Sequence, residues 1–166
     1  MVHMPHASAP DDLVKFHRFR LDAPVNSACF TADEGRAVVA LGDGTLHMFG
    51  LDAPETDRAV IKAHSGSIPR ILPYGPAHVL SISDDGTLAL TGTDGSTRIM
   101  ADFKGAWVER VAVHAPSGQM AVAVDKTIHH WTKLENAPRV LGPHAGPVHD
   151  LCFMARGQSL AAAHRD

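Results

Sequence analysis

A chain of 166 residues is long enough for one sizeable domain and short for two. A hydrophobic fraction of 45% and a charged fraction of 20% are those of a folded globular protein and argue against disorder. The formal charge of -3 comes from mixed signs with no basic stripe, so nucleic acid is not an expected partner. No run approaches the roughly 18 consecutive apolar residues that span a bilayer, and the opening MVHMPHASAPDD lacks the charged head and apolar core of a secretory leader. The expectation is a cytoplasmic protein with no membrane partner.

Residues 1–12 read as a flexible N-terminal segment and 13–166 as the folded body. Within it, short apolar runs are broken by Gly, Pro, Asp or Asn, which is the pattern of many short strands and an all-β class. Residues 13–20, LVKFHRFR, alternate like a strand. Predicted strands then follow at 25–30, 36–41, 44–49 and 58–62; at 67–72, 77–82, 86–91 and 96–103; at 107–113, 119–124, 127–131 and 138–141; and at 147–153 and 159–164. The apolar runs around Cys29 and Cys152 predict two buried thiols at equivalent places in two repeats, with no disulfide.

The strands recur with a period. Turn aspartates Asp43, Asp85, Asp125 and Asp166 are spaced 42, 40 and 41 apart, and His64 and His144, each two residues before a glycine, stand 80 apart. A unit of this length that cannot bury its own apolar faces must stack on its neighbours. The units fall at about 24–63, 64–104, 105–142 and 143–166, the last with two strands only.

The period, the loops Ala63-His64-Ser65-Gly66 and Pro143-His144-Ala145-Gly146, the Ser83-Asp84-Asp85-Gly86-Thr87 turn and the late aromatic Trp131 together resemble the WD-repeat family over about residues 13–166. The resemblance implies a partial β-propeller of about three and a half four-stranded antiparallel blades, with 13–20 as a ring-closing outer strand. It also implies a polar network inside each blade, joining a loop His, a second-strand Ser or Thr, a turn Asp and a third-strand Trp. No unit keeps all four. The second has His64, Ser81 and Asp85 but Thr91 for the Trp; the third has Asp125 and Trp131 but Lys104-Gly105-Ala106 for the His loop; the fourth has His144 and Asp166, with Ala162 for the Ser.

Catalytic motifs are missing: there is no Gly-x-Ser-x-Gly elbow, phosphate loop or His-Glu-x-x-His pair. The Asp84–Asp85 pair has the spacing of a β-turn. His129 and His130 are neighbours on a predicted strand, where side chains point to opposite faces, so they cannot grip one ion together. The expected function is a non-catalytic protein-interaction scaffold without cofactor or metal, with Arg70, Trp107, Glu109 and His149 near the ring entrance touching a protein or peptide partner. Two other readings stand beside it. One is a propeller hydrolase or lyase holding a divalent metal through Asn26, Glu109, His149 and Asp150. The other is a half-propeller that completes its ring with a second copy or a missing C-terminal half.

Overall fold

A computed structural model describes residues 17–165, apart from the side chain of Glu109. The described chain is all-β, with no helix. Three four-stranded antiparallel sheets and one two-stranded sheet follow one another along it. The first contains β1 (Val25–Phe30), β2 (Arg36–Leu41), β3 (Thr45–Gly50) and β4 (Arg58–Lys62). The second contains β5 (Arg70–Pro73), β6 (His78–Ile82), β7 (Thr87–Gly92) and β8 (Thr97–Asp102). The third contains β9 (Val108–His114), β10 (Gln119–Val124), β11 (Thr127–Trp131) and β12 (Arg139–Leu141), and the last β13 (Val148–Phe153) and β14 (Leu160–His164).

Each sheet is a meander in chain order, and the first strands meet one another, β1 against β5, β5 against β9 and β9 against β13. Such repeated sheets fit a β-propeller-like architecture. Second strands are buried on both faces, which is why RAVVAL, HVLSI and QMAVAV are nearly continuous apolar runs, while the outer strands β4, β8 and β12 are largely exposed.

The core lies between sheets rather than within them. Val38, Leu46 and Met48 of the first sheet pack on Ile68, Ile71 and Val79 of the second. Leu80, Ile82 and Leu88 of the second meet Val111, Met120, Val122 and Trp131 of the third. Ala112, Ala121, Ala123 and Ile128 of the third receive Val148, Leu151, Phe153 and Leu160. Burying each large side chain contributes about 1.5–3 kcal/mol, so every sheet depends on its neighbour.

Two expectations change. Residues 17–20 of the anticipated ring-closing segment form no strand, and residues 13–16 lie outside the described residues. Phe19 instead stacks on Phe49 of β3, with centroids 4.5 Å apart, and His17 bonds Glu55 at 3.0 Å. Both cysteines are free, but only Cys29 is partly covered; burial pushes its thiol up to about 11. Cys152 is exposed, because no described sheet covers the face of the last sheet on which it lies.

Candidate functional site

The loops between sheets and the turns between second and third strands share one end of the molecule. Ala63 N and His64 N both donate to Gly44 O, Asp84 N to Ser67 O, Phe103 N to Gly86 O, and Val148 N to Asp125 O. At the opposite end a different set of contacts ties neighbouring sheets: Asp33 N donates to Pro76 O, Tyr74 Oη to Gly118 O, and His114 Nε2 lies 3.0 Å from Ala155 O.

At the loop end the structure brings together His64, Ser81 and Asp85. His64 Nε2 is 2.7 Å from Ser81 Oγ, and Nδ1 is 2.8 Å from Thr87 Oγ1. Thr87 Oγ1 in turn lies 2.6 Å from Asp85 Oδ1, and the other carboxylate oxygen accepts from the amide and hydroxyl of Ser65, both at 3.0 Å. The closest approach of Asp85 to His64, 3.7 Å, is too long for a hydrogen bond, so Thr87 is the relay.

These bonds fix the protons. An ionised carboxylate only accepts, so the Thr87 hydroxyl donates to Asp85 and must accept from Nδ1–H of His64; Nε2 is then the acceptor for Ser81. Burial lowers the pKa of His64 and keeps the ring neutral, against the opposing pull of Asp85. Burial raises the Asp85 pKa, but the hydrogen bonds from Thr87 and Ser65 outweigh it and hold the carboxyl well below its usual range. A chain of neutral donors ending on a fixed anion orders the loop against the sheet. Thr87 and Ser65 were not anticipated; the signal for Thr87 was the Asp-Gly-Thr turn it shares with Thr45, which makes the same bond to Asp43 at 2.6 Å.

The other units do not repeat this network. Thr91, in the Trp position, is buried and lies 3.2 Å from the Thr97 hydroxyl. Asp125 is exposed, with φ of 50°. Trp131 is 3% exposed and belongs to the core between the second and third sheets. His144 stacks on His164 at 5.5 Å, and its Nε2 is buried without a hydrogen-bond partner. Asp166 lies outside the described residues.

His129 and His130 do face opposite ways: His129 meets Phe103 of the second sheet's exit, 4.9 Å between centroids, and His130 meets Phe153 of the last sheet at 5.9 Å. Asn26 is held by Ser67 Oγ at 2.9 Å and Ile68 O at 3.3 Å, and Asp150 accepts from the amide of Leu151 at 2.9 Å. Among the described residues no three His, Cys, Asp or Glu gather within reach of one metal ion.

Two of the residues expected to meet a partner, Glu109 and His149, share with Asn26 a backbone feature that the apolar pattern did not reveal. Strand pairing jumps from Val25 to Ser27, from Val108 to Arg110 and from Val148 to Asp150. Asn26, Glu109 and His149 are therefore the extra residues of three β-bulges at equivalent places on three first strands. Bulges re-aim side chains and occur often beside functional sites. The residues next in the chain, Arg110 and Asp150, occupy the register of Arg70 on β5: they lie opposite Ala123 and Ala163, as Arg70 lies opposite Ile82. Arg70 and His149 are exposed, and Trp107, in the loop entering β9, is 66% exposed. No described helix is long and apolar enough to cross a membrane. A scan against protein-family models and a search of curated proteins each return no match to this chain.

Proposed function

We propose that the chain is a non-catalytic binding platform of the WD-repeat type, a partial β-propeller in the cytoplasm whose loop end docks a protein or peptide. The observation that carries this reading is the row of bulges at Asn26, Glu109 and His149. Three of the four first strands, β1, β9 and β13, each interrupt their ladder at one place and set a polar residue there. Trp107 stands exposed at the same end, and aromatic and arginine side chains beside a rigid frame supply most of the energy in protein interfaces. The hydrogen-bonded loop of His64 would hold that surface still, so little ordering entropy opposes binding.

The test is capture of partners from cell lysate by the purified chain, followed by titration of whichever partner is recovered. Replacing Trp107, Arg70 and His149 together by Ala should weaken binding by at least about 30-fold, as loss of hot-spot residues costs about 2 kcal/mol or more. A partner that binds the triple variant with undiminished affinity would place the interface elsewhere.

A further inference from the structure

We propose that the groove between the outer parts of the second and third sheets takes a peptide of a partner protein, seating one large apolar side chain that has an acidic residue on one side and a basic residue on the other. The groove measures ≈ 610 Å³ and runs between β8 and the loop 132–138 that joins β11 to β12. Its walls belong to two sheets that each have a described sheet before and after them in the row. A volume within the range of about 300–1,000 Å³ is that of a binding pocket.

The floor is apolar and already fixed. Three rings stand in a row there: His129 meets Phe103 edge-on with 4.9 Å between centroids and stacks on Trp131 at 6.2 Å. Burial lowers the His129 pKa, so at neutral pH its ring adds no charge to the floor. Trp131 and Leu134 are 3% and 8% exposed and belong to the core cluster on which Met100 and Phe103 pack. An apolar side chain laid on this floor covers rings that the core holds in place, so little ordering opposes it.

The rim decides the mode and the charges. Pairing between β7 and β8 jumps from Ala101 to Ile99, so Met100 is the extra residue of a bulge, and a bulged edge resists the addition of a further strand. The occupant therefore enters by a side chain. Arg98, Ile99 and Glu135 are exposed, which leaves the groove open along its length, as suits a side chain carried on a polypeptide better than an enclosed small molecule. Asp102 is answered within the chain by Lys104 at 2.9 Å. Arg98 on β8 and Glu135 on the loop have no ion pair among the described residues. A rim with one free charge of each sign around an apolar floor favours an anchor with one acidic and one basic neighbour.

Nitrogen-15 NMR of the full chain tests this, because its two tryptophans report different places, Trp131 the groove and Trp107 the loop end. The probes are acetyl-Glu-Ala-Phe-Ala-Lys-amide and its isomer with the charges exchanged, whose two-residue spacing sets both charges on the face of the anchor. At millimolar concentration at least one of them should shift the Trp131 indole signal to saturation and leave Trp107 in place. Alanine for the probe's phenylalanine should weaken binding at least about tenfold. Arg98→Glu should turn the preference towards a probe with Lys at both ends, and Glu135→Lys towards one with Glu at both ends, each by about two- to five-fold, the scale of an exposed ion pair. Both positions are exposed, and unchanged indole signals in the free variants check that they fold. A Trp131 signal that no probe moves, a response of Trp107 alone, or variants that keep the wild-type preference would each overturn the proposal. Trp107, Arg70 and His149 are untouched, so loss of groove binding and loss of docking at the loop end are separate outcomes.

Discussion

His144 and Ala162 stand in the last unit at the positions that His64 and Ser81 hold in the second. Ser81, opposite Ile71, donates to the loop histidine His64; Ala162, opposite Leu151, holds the corresponding place and has no hydroxyl, and Nε2 of His144 is buried without a partner. A buried polar atom left unpaired costs about 1–3 kcal/mol. Ala162→Ser should therefore raise stability by about 1 kcal/mol, read as a higher urea midpoint with unchanged slope. Ser81→Ala should lower it by a similar amount, since it creates in the second sheet the defect that the last sheet already has.

His64 gives the fold a pH dependence of known sign. Burial sets its folded pKa below the ordinary value of 6.5, so the unfolded chain takes up a proton that the folded chain refuses. The stabilisation is complete above 6.5 and is lost as pH falls through the folded pKa. His47, His129 and His130 are shifted in the same direction, chiefly by burial, and add to the slope. Urea midpoints at pH 7.5 and 5.5 should fall with acid for the wild type, and by less for His64→Gln, although that variant starts less stable. Nitrogen-15 NMR at pH 7.5 should show His64 protonated at Nδ1 and bare at Nε2; the opposite tautomer would contradict the relay through Thr87.

Much of this architecture can be read in the residues themselves. Val25–Phe30, Arg36–Leu41, Arg58–Lys62, Gln119–Val124 and Thr127–Trp131 stand where alternation and turn residues place them, because short strands between Gly, Asp and Pro leave the backbone few choices. The association of His64, Ser81 and Asp85 is what the resemblance to the WD-repeat family implies, once the spacing of the turns has aligned the units. What escaped depends on neighbours or on a single inserted residue. The exposure of Cys152 is set by whether another sheet covers it, which its own apolar run cannot report. The bulges at Asn26, Glu109 and His149 leave the hydrophobic count of each strand intact and are visible only in the pairing. Thr87 looks like the first residue of a strand until Asp85 and His64 are seen on either side of its hydroxyl.

The turn aspartates of the second and third sheets should respond oppositely to substitution. Asp85 accepts four hydrogen bonds, from the amides and hydroxyls of Ser65 and Thr87. Asp85→Asn removes the charge that strengthens them and should cost about 1–2 kcal/mol. Asp125 is exposed and sits at a φ of 50°, where a side chain is strained and glycine is not. Asp125→Gly should leave stability unchanged or raise it by a few tenths of a kcal/mol, about what local left-handed strain returns at a site that Asp tolerates. Thermal melts of the two variants, run beside the wild type, distinguish a structural carboxylate from one that only forms a turn.

Gly86 separates the cost of backbone conformation from the cost of crowding. Its φ is 83°, and a Cβ there would come within 2.7 Å of the Gly105 backbone, in the loop that leads into the third sheet. Gly75 has a comparable φ of 61° but nothing within 4 Å of an added Cβ. Alanine at Gly75 should cost about 1–2 kcal/mol, the left-handed strain alone. At Gly86 the loop must also move, and Phe103 N donates to the Gly86 carbonyl, so the displacement reaches a bond between turn and loop. Gly86→Ala should therefore destabilise by clearly more than Gly75→Ala, and hydrogen exchange should show faster opening at Phe103 in that variant. Equal losses in the two variants would mean that the loop end is soft enough to yield, and too soft to serve as a preformed docking surface.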